Sequence, residues 1–219
     1  MQLKVFDGSG KGTNVELLKE SLIQLGYDVV VYQFPVYDST IGRIISKYLK
    51  GESGDIKTVP VELITAAYAA DRARFAEDIA MYLENGTIVI CDRYTYSNVF
   101  NMVKEPKEKW DDFLSWLEDL EFDCLNVIKP DYNIFLYVDY TVSIERIANR
   151  GKRNYQDGKE DIHESNNELL KQASDGYLYI SSKRDNWIII DEMQDNKQLP
   201  LEDVFKKLFK EVIKILKND

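Results

Sequence analysis

A glycine-rich turn near the N-terminus constrains the fold more than any other feature of the sequence. The turn Gly8-Ser9-Gly10-Lys11-Gly12-Thr13 follows a short apolar run, Leu3 to Phe6, and precedes apolar residues at helical spacing. A strand, a glycine turn and a helix in this order expose consecutive backbone N–H groups and the positive end of the helix to an anion. Lys11 adds a full positive charge, so the turn predicts a phosphate-binding loop.

The loop departs from the commonest phosphate-binding pattern, G-x-x-x-x-G-K-[ST], in two ways. Gly12 follows the lysine directly, and the hydroxyl comes one residue later, in Thr13. The first glycine of the pattern would stand where this chain has Val5, so the loop is about three residues short. The sequence therefore leaves two interpretations open, an active ATP site and a nucleotide-binding relative without turnover.

Strand and helix patterns alternate along the rest of the chain. The other expected strands are Val29 to Tyr32, Thr87 to Cys91, Tyr132 to Val138 and Trp187 to Ile190. The expected helices between and after them are Ile41 to Leu49, Val59 to Glu84, Asp111 to Asn126, Val142 to Arg150, Asp161 to Lys183 and Leu201 to Leu216. This alternation favours an α/β fold with a parallel sheet between two helical layers. We expect a single domain over residues 1–219, of P-loop NTPase type, as a three-layer sandwich with a five-stranded parallel sheet.

Charge and composition limit the classes of partner and the location that we expect for this protein. The chain has 28 Lys and Arg against 38 Asp and Glu, a formal net charge of −10, which argues against a broad nucleic-acid surface. No apolar run is long enough to span a bilayer and no signal peptide is recognisable, so we expect a cytoplasmic protein without membrane contact. The two cysteines, Cys91 and Cys124, are too far apart to indicate a zinc site.

A second motif lies where the strand Ile88-Val89-Ile90 ends in Asp92-Arg93-Tyr94. A carboxylate at the end of a buried strand suits a magnesium ion and its waters, and an adjacent arginine can hold a phosphate in a bidentate manner. In a parallel sheet this strand end and the glycine turn lie at the same edge, where ligands bind. The two motifs together indicate phosphoryl transfer.

With these motifs the chain resembles the thymidylate kinase family over nearly its whole length. The resemblance rests on the following segments: the glycine loop, Phe34-Pro35, Gly42-Arg43, Tyr68-Ala69-Ala70-Asp71-Arg72, Asp92 to Asn98, and a basic stretch with Arg146, Arg150 and Arg153. It implies transfer of a phosphoryl group from ATP to dTMP, with Mg²⁺, in a homodimer. A kinase with another or broader nucleoside monophosphate acceptor stays open beside it.

The resemblance also implies roles for individual residues. The expected ATP phosphate ligands are Gly8, Ser9, Gly10, Lys11, Gly12, Thr13 and Arg146. The expected dTMP ligands are Asp7, Phe34, Tyr68, Arg72, Arg93, Ser97, Asn98 and Tyr155. Tyr68 would stack on the base, Arg72 would bond a base carbonyl, and Asp92 would hold Mg²⁺ through water. The expected catalytic residues are Lys11, Arg93, Arg150 and Arg153, the last two in a lid at about 150–160.

Since the nucleophile is already an anionic phosphate oxygen, the reaction needs alignment and positive charge rather than a strong base. The spacing of Tyr68 and Arg72 fits this, because residues four apart share one face of a helix. His163, the only histidine, lies in a capping-box-like segment, Asp161 to Glu164, and is expected to be structural.

Overall fold

Two pairs of parallel strands lie at the centre of the computed structural model, which describes residues 11–54, 58–149, 166–195 and 197–217. β1 (Val29–Gln33) pairs with β2 (Ile88–Asp92), in the register Val29 to Ile88 and Gln33 to Asp92. β3 (Asn133–Tyr137) pairs in the same way with β4 (Trp187–Asp191). All four strands were expected from the sequence and are confirmed. The fifth expected strand, Leu3 to Phe6, lies outside the described residues, so a five-stranded sheet stays a prediction.

A small hairpin after β4 was not expected. β5 (Met193–Gln194) and β6 (Lys197–Gln198) pair antiparallel. Asp195 lies between them with a φ of 51°, in the left-handed region that Asp tolerates better than most residues. Strands of two residues have too few positions to show an alternating pattern, so no local pattern predicts them.

Helices connect and cover the strands. They are α1 (Lys11–Gln24), α2 (Thr40–Leu49), α3 (Val61–Ala73), α4 (Ala76–Glu84), α5 (Val99–Met102), α6 (Trp110–Glu118), α7 (Tyr140–Asn149), α8 (Asn167–Lys183) and α9 (Leu201–Leu216). The expectation of one helix from Val59 to Glu84 is wrong. The chain turns at Phe75, whose ring packs edge-on against Phe34, with the centroids 5.6 Å apart.

Two further expected helices differ from the structure in their form or bounds. The helix expected from Asp111 to Asn126 begins at Trp110 and widens after Glu118 into a π-helix, Asp119–Cys124. α8 is capped by Asn166, whose side-chain oxygen accepts from the N–H of Leu169. The expected start of α8 at Asp161, together with His163, lies outside the described residues.

The strands carry apolar side chains on both faces, and each face meets helices. On β3, Ile134 and Leu136 join a core with α1 and α9, whereas Phe135 packs into a core formed by α5, α6 and α8. Because successive strand residues point to opposite faces, these cores lie on the two sides of the strands. The described part of the chain therefore has the α/β class that the sequence predicts, with helices against both faces of β3, whereas the three-layer sandwich stays a prediction.

The two cysteines lie in different environments. Both cysteines are free thiols, Cys91 buried and Cys124 exposed. Burial raises the pKa of the Cys91 thiol above its usual range. None of the helices in the described ranges is both long enough and apolar enough to cross a membrane.

Candidate active site

The carboxyl end of β2 carries the strand-ending motif. Asp92 is buried and pairs with Gln33 of β1. Phe34, the residue after that strand, donates its N–H to the Asp92 carbonyl at 3.0 Å. Arg93 follows with a φ of 67°, which is uncommon for a residue with a side chain. Tyr94 anchors the turn, because its hydroxyl donates to the carbonyl of Ile128 at 3.0 Å. Arg93 has this left-handed backbone conformation between two anchored residues, and such conformations are typical of functional sites.

Phe34 begins the segment that leads from β1 to α2, and its peptide bond to Pro35 is cis. Its ring is buried and packs against Tyr94 with the centroids 5.8 Å apart. Asp71 of α3 holds the following residues: its carboxylate accepts from the N–H of Val36 at 2.8 Å and from the Ser39 hydroxyl at 3.3 Å. α3 therefore fixes the position of the Phe34 segment.

Arg72 points into the protein and forms an ion pair with Glu121. Nε and Nη2 of the guanidinium donate to the two carboxylate oxygens at 2.8 and 2.5 Å. Both side chains are almost wholly buried, with exposures of 1% and 0%. Tyr68, one turn earlier on α3, is half-buried beside the core formed by α2 and α3. Arg72 is therefore held inside the protein rather than on a solvated helix face.

Residues that follow Arg93 reach the same carboxylate. The Thr95 hydroxyl donates to Glu121 at 2.8 Å, and the Asn98 amide donates to Glu121 at 3.2 Å. The structure thus joins two segments that the sequence analysis singled out separately, residues 68–72 and 92–98. Ser97 lies in the same turn, and its hydroxyl oxygen is buried without a hydrogen-bond partner in the described structure.

A chain of polar side chains extends from Asn98 to the protein surface. The Asn101 amide nitrogen donates to Asn98 Oδ1 at 3.3 Å and to the Thr65 hydroxyl at 3.1 Å. Lys104 Nζ donates to Asn101 Oδ1 at 2.9 Å and also to the Tyr48 hydroxyl. Burial lowers the pKa of Lys104 to about 8. Lys104 also lines a cavity of about 500 Å³ between the N-termini of α3 and α8.

The expected ATP side of the site is only partly described. α1 begins at Lys11, and Gly12 and Thr13 are exposed in its first turn. Arg146 of α7 donates to the buried Glu192 at 3.1 Å. Burial outweighs this ion pair and raises the pKa of Glu192 to about 7. The other residues expected on this side lie outside the described residues; they are Gly8, Ser9, Gly10, Arg150 and Arg153. Asp7 and Tyr155, which were expected to bind dTMP, also lie outside them.

The described residues contain no cluster of three or more His, Cys, Asp or Glu side chains suited to hold a metal ion. Mg²⁺ in nucleotide sites does not require one, since it is usually bound by one or two carboxylates together with substrate phosphates and waters. The buried Asp92, at the strand end beside Arg93, fits that requirement.

Sequence reasoning missed Glu121, which the structure places at the centre of the site. The acidic run Glu118-Asp119-Leu120-Glu121 has the appearance of a solvated helix face. A usable signal was present, because Glu121 lies four residues after Leu117 and seven after Leu114, on the apolar stripe of the helix. A carboxylate on such a stripe requires a buried partner.

Comparisons with known proteins identify the family. The model of the thymidylate kinase family matches residues 6–203. Thymidylate kinase from Plasmodium falciparum is 31% identical over 224 residues, which cover 96% of this chain and 89% of the relative. Thymidylate kinase from Mycobacterium tuberculosis is 29% identical over 188 residues, covering 84% and 87%. A solved structure of thymidylate kinase from Candida albicans superposes with a TM-score of 0.73 at 23% identity, covering 99% of this chain and 91% of that one.

Proposed function

The chain belongs to the thymidylate kinase family and uses ATP to phosphorylate dTMP, and we propose that the acceptor nucleotide binds between β2 and α3. The observation that carries this placement is the buried carboxylate of Glu121. It joins Arg72 of α3 to Thr95 and Asn98, which follow Arg93 in the chain. One set of contacts thereby links the residues proposed to bind the base to the turn proposed to bind the phosphate.

The acceptor nucleotide would extend along this turn. Arg93 would hold the monophosphate of dTMP, because a guanidinium matches two phosphate oxygens in a bidentate manner. Arg72 and Asn98 would face the base, with Ser97 nearby and Tyr68 stacked on the ring. Phe34 would support the pocket from the aromatic core in which its ring is buried.

The donor side would be formed by the glycine loop and the lid. Gly8 to Thr13 would surround the ATP phosphates, and Lys11, Arg146, Arg150 and Arg153 would supply positive charge. Mg²⁺, held by Asp92 through water, would neutralise charge on the ATP phosphates. The protein then aligns an anionic acceptor oxygen with the γ-phosphoryl group and stabilises the charge of the transition state, which requires no strong general base.

The test is an acceptor panel with Mg-ATP, in which ADP formation is followed with dTMP, dUMP, dCMP and dGMP. We expect the highest kcat/KM with dTMP. Arg93→Ala should lose at least about a hundredfold in kcat/KM, since it removes the proposed phosphate contact. Arg184→Ala is the matched control, because that arginine pairs with Glu118 at 2.9 Å and lies outside the proposed site. Absence of transfer to any pyrimidine monophosphate would refute the proposal.

The short glycine loop calls for a separate measurement. Lys11→Ala should abolish turnover and weaken Mg-ATP binding, as measured by calorimetry on the purified protein. Turnover that survives in Lys11→Ala would show that the loop does not bind the ATP phosphates as proposed.

We further propose that the enzyme acts as a homodimer, as its family resemblance implies. Exposed apolar side chains on two neighbouring helices support this: Ile44 of α2 is 55% exposed and Leu63 of α3 is 67% exposed. Sedimentation of the wild type should give the mass of two chains, and Leu63→Glu should shift it toward one. A cytoplasmic location stays a prediction.

A further inference from the structure

Three residues donate hydrogen bonds to the Glu121 carboxylate. It accepts four hydrogen bonds: two from Arg72, one from the Thr95 hydroxyl and one from the Asn98 amide. An ionised carboxylate offers about four acceptor positions and no donor. Because Glu121 is fully buried, any group that faces it must be a donor.

This requirement fixes the orientation of the Asn98 amide. Asn98 Nδ2 donates its two N–H groups to Glu121, at 3.2 Å, and to the carbonyl of Thr95, at 3.1 Å. The far end of the polar chain imposes the same orientation. Lys104, which only donates when charged, holds Asn101 Oδ1, and this turns the Asn101 amide nitrogen toward Asn98 Oδ1. The Asn98 oxygen therefore has its second lone pair available for a ligand, whereas its nitrogen is already used.

The same carboxylate fixes the Arg72 guanidinium. The pair uses Nε and Nη2, so the plane of the group is set and Nη1 is the nitrogen outside the pair. A base that approaches both residues meets a donor from Arg72 and an acceptor from Asn98. Thymine and uracil offer the complement, a carbonyl oxygen at position 4 and an N–H at position 3. Cytosine has an amine at position 4 and an unprotonated nitrogen at position 3, so the donor and the acceptor are exchanged at both positions.

We propose that Glu121 is the positioning residue that sets the preference of this site for a keto pyrimidine over an aminopyrimidine. The inference rests on the proposed function, since it requires that Arg72 and Asn98 face the acceptor base. Glu121 acts through these two side chains and does not touch the nucleotide.

The test compares dTMP with dCMP in Glu121→Gln. A glutamine amide presents a donor as well as an acceptor, so it cannot accept all four bonds, and the Asn98 amide is free to turn. We expect kcat/KM for dTMP to fall about ten- to a hundredfold, mainly through KM, which is the range for the loss of a hydrogen bond to a charged group. The change for dCMP should be smaller, so the dTMP to dCMP ratio should fall about tenfold or more.

Two further variants separate positioning from stability. Glu118→Gln, one turn earlier, weakens the ion pair with Arg184 without touching Arg72 or Asn98, and should leave the ratio at the wild-type value. Glu121→Asp keeps the charge, but its side chain is one methylene group shorter. It should therefore retain the preference for dTMP while KM for dTMP rises.

The outcomes are distinct. A folded Glu121→Gln protein with the wild-type ratio overturns the inference. If Glu121→Gln does not fold, an unchanged KM for dTMP in Glu121→Asp overturns it instead. Wild-type protein that phosphorylates none of the pyrimidine monophosphates would refute the proposed function, whereas an active wild type with an insensitive ratio would refute only the role of Glu121.

Discussion

Gly42, in the first turn of α2, packs so closely on the Phe34 segment that it offers a sharp test of the acceptor site. A Cβ at this position would lie 2.6 Å from the carbonyl carbon of Val36 and 2.7 Å from the Cα of Tyr37. Both neighbours are backbone atoms, which cannot move aside by rotation of a side chain. Carbon atoms in contact are about 3.5–4.0 Å apart, so Gly42→Ala must displace this segment by about 1 Å.

The energetic consequence has two parts. Alanine gains about 1 kcal/mol over glycine from helix propensity, whereas overpacking costs about 1–3 kcal/mol. The net destabilisation is therefore up to about 2 kcal/mol, a decrease in Tm of several degrees for a chain of this size. The effect on activity should be larger, since a displacement of about 1 Å near a reacting centre can cost about a hundredfold.

The assay is a dTMP titration at saturating Mg-ATP, together with thermal unfolding. We expect KM for dTMP to rise at least about tenfold in Gly42→Ala, with a smaller change in KM for ATP. Lys47→Ala, an exposed position on the same helix, is the control and should leave both constants unchanged. A Gly42→Ala protein with wild-type KM and wild-type Tm would show that the close approach of α2 has no part in forming the acceptor site.

Two other predictions concern stability. Gly176→Ala places a Cβ 2.6 Å from Val99 Cγ2 and 2.8 Å from Val103 Cγ1, so the α8–α5 contact should be overpacked. Overpacking costs about 1–3 kcal/mol and helix propensity returns about 1 kcal/mol, so the free energy of unfolding should fall by up to about 2 kcal/mol in urea titrations. A urea midpoint that does not fall would contradict this. Lys104 has a folded pKa of about 8, below its ordinary 10.5, so the unfolded chain binds more protons between these values and stability should rise with pH across this window. Relative to Lys104→Met, the wild type should gain about 1–2 kcal/mol between pH 8 and 10, and parallel pH profiles of the two proteins would refute the assignment.

Much of the fold could be predicted from local sequence patterns. Strands β1 to β4 lie where β-branched and aromatic runs predict them. Most helices begin and end close to the bounds that their apolar periodicity predicts. The single helix expected from Val59 to Glu84 failed because periodicity continues through Phe75, whereas the chain turns there to place that ring against Phe34. The β5–β6 hairpin could not be expected, because its strands are only two residues long.

The sequence proposed residues for the candidate site but could not predict which side chains they contact. Arg72 and Asn98 were singled out for the base, and the structure brings both onto one carboxylate. Arg146 was expected to bind ATP phosphates, and the structure pairs it with Glu192, 46 residues along the chain. Each partner is remote in sequence and is brought near by packing, which no local pattern records.

The sequence by itself determined the alternation of strands and helices and the Asp92-Arg93 strand end, because such patterns act over a few neighbouring residues. For the same reason it predicts the glycine loop. Only the tertiary structure decided that Glu121, 49 residues from Arg72, is the centre of the proposed base site. The physical reason is burial. A carboxylate that is buried away from water must accept hydrogen bonds from protein donors. The fold alone determines which donors lie within reach.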